Sequence, residues 1–477
     1  MAGTKKDALN NGVHDYTAED MYVRPDNPNV LEALEKFRDH KLGFMMHWSP
    51  ACQLGIYESW CMSDDSAAWS KKDVDWTDDM NEFRRQYRNL RTTFNPIRFQ
   101  PEAWADLAKE CGFQYLLFTT KHHDGFCMWD TETTDYKVTS PNTPFSSHRY
   151  ADICRHLFDA FRDRGMDIHA YFSKPDWHTP YYWSPDFASP DGKTDRNVNY
   201  DVTEHLELWE KFVQMSHRQI TEIMTNYGRI EALWLDGGWV HPDNKGQDIR
   251  IGEIVERIRE TTQPHLMAVD RTVGGPYENF ITPEQTVPDE PILVPWESCV
   301  TVGQRFSFNY DDDFKSPRQL VHLLINIIAK GGNLALNIAP QPDGRLPAKG
   351  MAALRELGAF LKRNGEAVYG TRECAPYLAD GMAYTRKGNT VYAFYLYPDD
   401  SSEVRDSFIL PYFGEVLSAS LISDEGEVKT EAIDEGKLRI TVLSRTTQGT
   451  PYADVFRMQI ISHLKLPHRV CTLTKVQ

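Results

Sequence analysis

Glu231-Ala-Leu-Trp-Leu-Asp-Gly-Gly-Trp239 is an apolar run that stops at one carboxylate, Asp236, and is followed by two glycines. A strand buried on both faces reads as such a continuous run. An acid at its C-terminal end is what a barrel strand delivers to the rim. The pattern recurs along the chain. Leu42-Gly-Phe-Met-Met-His47 ends on one histidine, and Tyr115-Leu-Leu-Phe-Thr-Thr-Lys-His-His123 ends on two. Ile168-His-Ala-Tyr-Phe-Ser173 carries Tyr171 near its end. Leu266-Met-Ala-Val-Asp-Arg271 and Ile292-Leu-Val-Pro-Trp-Glu297 close on Arg271 and Glu297. In a (β/α)8 barrel such strand ends converge on one pocket.

The segments between these runs read as helices. Asn29 to His40 leads into the first strand, and helical stretches at Pro101–Cys111, 151–165, 202–227 and 248–262 precede later ones. Ser316-Pro317 is a cap followed by proline at the first helical position, and Gly331-Gly332 ends that helix. Alternating βα units of this number favour a (β/α)8-type barrel over an open sheet. After about residue 370 the pattern changes to short alternating strands, with Lys387-Gly-Asn389 as a hairpin signal. The expected organisation is a polar N-terminal tail over 1–25, a barrel over 26–370 and an antiparallel β-sandwich over 371–477.

Composition narrows the partners. With 52 basic against 69 acidic residues the formal charge is −17, which argues against nucleic acid. No run approaches the roughly 20 apolar residues of a membrane span. The first residues lack the apolar core of a secretory leader, so a cytoplasmic protein, or a secreted one with its leader removed, is expected. The eight cysteines form no C-x-x-C pair, so neither a zinc site nor a disulfide framework is expected. Oligomeric state is open, and a homo-oligomer is compatible with the sequence.

Two loops at the expected catalytic face are aromatic. One holds Tyr57, Glu58, Trp60, Trp69 and Trp76, the other Trp177, His178, Tyr181, Tyr182 and Trp183. Aromatic faces stack on the apolar faces of sugars and shape pockets for them. Retaining glycoside hydrolysis needs two carboxyl groups roughly 5–5.5 Å apart. Asp236 and Glu297 meet that need on separate strands, with the histidines and Arg271 left to hold hydroxyls. A metal-dependent hydrolase using His122, His123 and Asp124 is the competing reading, weakened by the lack of a spaced H-x-x-x-H partner. A non-catalytic sugar-binding protein with the same pocket is a third.

Several motifs, in order, resemble the α-L-fucosidases of glycoside hydrolase family 29. They are Phe44-Met-Met-His-Trp-Ser-Pro50, Thr119-Thr-Lys-His-His-Asp-Gly-Phe-Cys-Met-Trp129, Leu233-Trp-Leu-Asp-Gly-Gly238, Trp296-Glu-Ser-Cys299, and Gly332-Asn-Leu-Ala-Leu-Asn-Ile-Ala-Pro340 followed by Asp343-Gly344. The resemblance spans about residues 30 to 370, and a β-rich tail is also the family's arrangement. It implies a retaining exo-α-L-fucosidase that forms a covalent fucosyl-enzyme and needs no cofactor or metal. The substrate would be a fucosylated oligosaccharide or glycoconjugate. Carried over, Asp236 is the nucleophile, with His47, His122, His123, Tyr171, Trp234, Arg271 and Trp296 lining the sugar site. Glu58 and Trp60 resemble a glutamate–tryptophan pair that contacts the sugar, though Ser59 separates them where many members have them adjacent. The acid/base position varies within the family; Glu297 is assigned to it, with Glu58 as the alternative.

Overall fold

Asp236 ends β4 (Ala232–Asp236), one of seven parallel strands that curl around a common core. The others are β1 (Leu42–Met46), β2 (Tyr115–Lys121), β3 (Asp167–Ser173), β5 (Met267–Asp270), β6 (Glu297–Thr301) and β7 (Asn333–Asn337). Their order is β5-β4-β3-β2-β1-β7-β6, and every pairing is parallel. The computed structural model describes residues 16–71, 74–188, 193–398, 404–434, 436–446 and 452–461. It divides into two units, Met1–Lys362 and Arg363–Gln477, a few residues before the expected boundary.

The strands read as apolar because both faces are covered. Residues of β1, β2, β4, β5, β6 and β7 are buried almost without exception. Inward-facing side chains from all seven meet in one cluster that includes Met45, Leu117, Tyr171, Trp234, Val269, Cys299 and Ala335. The helix Pro28–His40 plugs the N-terminal mouth. Its Asn27 cap accepts the Asn29 N–H, and Val30, Ala33, Leu34 and Phe37, at helical spacing, join the same cluster. The Ser316 capping box forms with Gln319, and Pro317 opens that helix.

No eighth regular strand stands between β5 and β6 among the described residues. The interval is spanned by 277–285. Asn279 N–H donates to Ala268 O, and Asp270 N–H to Tyr277 O, which ties the segment to β5. Glu297 N–H donates to Ile281 O, Cys299 N–H to Pro283 O, and Gln285 N–H to Cys299 O, which ties it to β6. Pro283 has no N–H to offer, so the pairing breaks into isolated bridges. The sequence reading put a strand at 292–297 instead. Pro291 and Pro295 exclude it, and Leu293 is exposed. β6 starts only after Pro295, so Glu297 is its first residue and not its last.

Part of the expected tail is tied down. Residues 1–15 lie outside the described residues, but Thr17 Oγ1 donates to Glu278 Oε2 at 2.6 Å and Tyr22 Oη to Asn279 O at 3.2 Å.

The second unit has a five-stranded antiparallel sheet, β12-β15-β10-β9-β8, and a three-stranded one, β11-β14-β13. Here β8 is Arg372–Ala379, β9 Met382–Lys387, β10 Thr390–Leu396, β11 Ser407–Pro411, β12 Glu415–Leu421, β13 Val428–Asp434, β14 Lys437–Val442 and β15 Ala453–Ile461. Phe408, Leu410, Leu438 and Ile440 of the small sheet share one core with Tyr384, Val391, Phe456 and Met458 of the large one. That shared core is the expected sandwich. Two of its strands escaped the sequence reading, and both are sheet edges. β8 carries Pro376, and β13 reads Val-Lys-Thr-Glu-Ala-Ile-Asp, as edges that resist further pairing do.

Candidate active site

The C-terminal ends of the strands enclose one cavity. Its lining includes His47, Glu58, Trp60, His122, Tyr171, Trp234, Asp236, Trp239, Arg271, Glu284 and Phe306. The two glycines after Asp236 are required by the close packing at the rim. Gly237 has φ +89°, and a Cβ there would lie 2.4 Å from Pro175; one on Gly238 would lie 1.9 Å from the Thr272 hydroxyl.

Asp236 is gripped at both oxygens. Arg271 Nη1 donates to Oδ1 at 2.8 Å, and Tyr171 Oη donates to Oδ2 at 2.6 Å. Burial acts to raise the pKa of this carboxyl. The Arg271 guanidinium is its main opponent, the Tyr171 hydroxyl also favours the charge, and Asp236 stays well below the usual carboxylate range. Arg271 is itself seated over the Trp234 ring at 4.4 Å, and Tyr171 stacks on the same indole at 5.2 Å.

The histidines are neutral, and two have fixed tautomers. Asn337 Nδ2 donates to Phe306 O at 2.8 Å, and its Oδ1 accepts the backbone N–H of His47 at 3.0 Å. That orientation makes Oδ1 the acceptor for His47 Nδ1–H as well, at 3.0 Å. Ser173 Oγ donates to Pro175 O at 2.6 Å, so it accepts from His123 Nδ1–H at 2.8 Å. In both residues Nε2 is left as a bare acceptor. His123 Nε2 is buried, has no hydrogen-bond partner among the described residues, and lies 3.7 Å from Asp236 Oδ2. Two electron-rich atoms so placed call for a donor between them, as a sugar hydroxyl is. Burial lowers His47 and His123 to about 4 and His122 well below its ordinary value. His122 Nδ1 meets Ser59 Oγ at 2.6 Å. Ser59, the residue between Glu58 and Trp60, thus turns to a histidine, and its two neighbours both reach the cavity.

Glu284 completes the site, and sequence reasoning missed it. Arg271 Nη2 donates to Glu284 Oε2 at 2.7 Å, so one guanidinium holds Asp236 and Glu284 together. The signal was present in Phe280-Ile281-Thr282-Pro-Glu284, a short apolar run ending in a carboxylate like that of β4. Pro283 disguised it as a loop. Glu58 is the third carboxyl of the group. Its Oε1 accepts the Ser307 N–H at 2.6 Å, and burial, followed by the charges of Glu284 and Asp236, pushes it up to about 8.

The α-L-fucosidase family model matches residues 13–366. The chain belongs to the α-L-fucosidases of glycoside hydrolase family 29. It is 25% identical to the α-L-fucosidase of Dictyostelium discoideum over 78% of this chain and 79% of that one. It is also 25% identical to the plasma α-L-fucosidase of Rattus norvegicus, over 84% and 83%. Among solved structures, α-L-fucosidase isoenzyme 1 from Paenibacillus thiaminolyticus superposes with a TM-score of 0.73 at 28% identity, covering 91% of this chain and all of that one. A Bacteroides thetaiotaomicron family 29 α-L-fucosidase, a covalent intermediate trapped with 2-fluoro-fucosyl fluoride, shares the fold at 23% identity and a TM-score of 0.70, over 90% and 95%.

Three residues singled out by this fucosidase's sequence lie away from the cavity. Glu297, expected at the rim, is fully buried at the opposite end of β6. It accepts from Trp234 Nε1 at 3.2 Å and from the Tyr115 hydroxyl. Trp296 packs over Gly332, and its indole donates to Lys330 O at 3.2 Å. Asp124 accepts from Tyr87 Oη at 2.8 Å and from Phe126 N–H at 3.1 Å, which removes it from the competing metal reading. The histidine pair instead approaches Asp236, with one donor atom from each of the three within 4.8 Å of the others.

Proposed function

We propose that this α-L-fucosidase is a retaining exo-enzyme that removes terminal α-L-fucosyl units by double displacement. The observation that carries the reading is the Arg271 guanidinium holding two cavity carboxylates at 2.8 and 2.7 Å. A shared guanidinium keeps the two acids close to each other, which supports a mechanism through a covalent glycosyl intermediate, where two carboxyls act at short separation.

Asp236, kept ionised by Arg271, is the nucleophile. It attacks the anomeric carbon and displaces the glycosidic oxygen. Glu284 is the acid that protonates that oxygen. Glu284 then takes a proton from water as water attacks the fucosyl-Asp236 ester, so the product keeps its anomeric configuration. Asp236 holds its charge, whereas burial and the charges of Glu284 and Asp236 keep Glu58 protonated at neutral pH, which puts a proton within the group of carboxyls where an acid is needed. Glu58, anchored to Ser307, together with His47, His122, His123 and Trp60, contacts the sugar. Trp234 forms its floor. Glu58 is the runner-up for the acid, because it too borders the cavity with a proton available. Glu297 takes no part in proton transfer.

The test is release of 4-nitrophenol from 4-nitrophenyl α-L-fucoside, with the anomer of the first-formed fucose followed by NMR. Turnover with the α-anomer first supports the proposal. The β-anomer first would establish inversion and dismiss it.

A further inference from the structure

Two adjacent histidines each set Nδ1 against a serine hydroxyl, His122 against Ser59 at 2.6 Å and His123 against Ser173 at 2.8 Å. The serines differ in what else they bond. Ser173 Oγ donates its proton to Pro175 O, so it accepts from His123. Ser59 is 1% exposed, and among the described residues its hydroxyl meets only His122 Nδ1. We propose that Ser59 is a positioning residue: its hydroxyl donates to His122 Nδ1 and fixes the ring proton on Nε2, which makes His122 an N–H donor to a fucose oxygen beside two acceptor histidines. The inference deepens the proposed function and rests on it for the identity of the ligand.

The opposite tautomer would point Nδ1–H at Ser59 Oγ. The serine proton would then be buried without an acceptor, the costly arrangement for a hydroxyl. With Ser59 donating, Nδ1 is satisfied and Nε2–H is left for the cavity that His122 lines. The surrounding charge agrees. His122, His123 and Asp236 each present one atom within 4.8 Å of the others. His123 Nε2 is a bare acceptor and Asp236 an anion, and beside that pair an N–H is favoured over a third lone pair.

The ligand has use for such a donor. Arg271 directs Nε, Nη1 and Nη2 at Thr282, Asp236 and Glu284. Tyr171 directs its hydroxyl at Asp236, and Trp234 its indole N–H at Glu297. Those donors serve the protein. A sugar hydroxyl both donates and accepts. One that gives its proton to His123 Nε2 or Asp236 accepts from His122 Nε2–H. The chain is bent to bring Ser59 to this place. Glu58 holds φ +22°, a strained value for a residue with a Cβ. Ser307 keeps it there, accepting the Glu58 N–H at 3.2 Å and donating its own to Oε1 at 2.6 Å.

Wild type, Ser59→Ala and Ser59→Thr would be compared with ¹⁵N-labelled histidine in long-range ¹H–¹⁵N spectra. The His122 ring is assigned by its loss in His122→Gln. L-Fucose affinity is measured on the same proteins by calorimetry. The expected result is a protonated Nε2 and a bare Nδ1 on His122 in wild type and Ser59→Thr, and mixed tautomers in Ser59→Ala. L-Fucose should bind about tenfold more weakly to Ser59→Ala, as loss of one oriented hydrogen bond implies, and recover in Ser59→Thr. A wild-type His122 protonated on Nδ1 overturns the proposal, and this spectrum decides even where a variant does not fold. Wild-type tautomer and affinity in Ser59→Ala overturn it too, as does an equal loss in Ser59→Thr, which keeps the hydroxyl. A folded wild type that neither binds L-fucose nor hydrolyses an α-L-fucoside overturns the fucosidase mechanism instead, and Ser59 is then judged by the spectra alone.

Discussion

The indole N–H of Trp234 donates to Glu297 Oε1 at 3.2 Å, from a ring that forms a wall of the sugar cavity. Tyr115 occupies the other carboxyl oxygen. The acid that the sequence favoured thus lies outside the cavity lining and meets the cavity wall at Trp234. Glu297→Gln keeps an acceptor for the indole and is expected to lower kcat/KM by less than about tenfold. Glu284→Ala removes the proposed general acid, with an expected loss of about 10²–10⁴-fold on oligosaccharides. It should be far milder on fucosyl fluoride, whose departure needs little protonation. Steady-state kinetics of both variants decide the matter. A larger loss in Glu297→Gln than in Glu284→Ala would sink the assignment of Glu284.

The nucleophile is tested by replacing it from outside. Asp236→Gly removes the attacking oxygen and leaves Arg271 facing a hole of anion size. Turnover should fall by several orders of magnitude. Azide or formate should restore part of it, giving a fucosyl adduct of inverted configuration by NMR. In Glu284→Ala, azide should instead attack the intermediate and give the retained adduct. An Asp236→Gly enzyme that azide does not rescue would count against the assignment.

Burial raises Glu297 from an ordinary 4.5 to about 7, and Glu58 from 4.5 to about 8. A carboxyl whose folded pKa is raised stabilises the fold fully below its unfolded pKa and loses that contribution as pH rises through the folded value. The window for Glu297 is therefore between 4.5 and about 7. Thermal melts across it should show Glu297→Gln gaining on wild type as pH rises, with the difference flat above about 7. The gain is limited to roughly 1.4 kcal/mol per pH unit. A difference constant from pH 4 to 8 would mean that Glu297 does not titrate in this window.

The fold was legible where burial on both faces made strands into unbroken apolar runs, as in β1 through β5 and β7. The five cavity residues at their ends, His47, His122, Tyr171, Asp236 and Arg271, were legible for the same reason. Reading failed where proline interrupts pairing. Pro283 broke the segment that carries Glu284, and Pro295 moved the start of β6 so that Glu297 fell at the wrong end. Phe280 and Ile281 are buried but passed unread, whereas the 292–297 run, read as a buried strand, leaves Leu293 exposed. What an apolar run does not reveal is which of its backbone N–H groups are missing from the ladder. The edge strands β8 and β13 were lost to a related cause, since a strand with one free side has no need of a strongly apolar sequence.

His122, His123 and Asp236 present donor atoms within 4.8 Å of one another, with both fully buried histidines neutral, as a divalent cation would require. The surrounding charge argues the other way. Asp236 Oδ1 is already on Arg271 Nη1 at 2.8 Å, and Oδ2 is on the Tyr171 hydroxyl at 2.6 Å. A cation bound by this carboxylate would sit a few ångströms from a buried guanidinium, with no further anion to offset the repulsion except Glu284, which Arg271 also holds. Dialysis against a chelator is therefore expected to leave both fucoside turnover and the melting temperature unchanged. Removing the guanidinium should reverse the preference. Arg271→Met loses turnover because Asp236 is no longer held, and the three donors, relieved of the repulsion, should bind zinc measurably tighter than wild type by calorimetry. Activity lost on dialysis and restored by a divalent ion would instead return the site to the metal-dependent hydrolases.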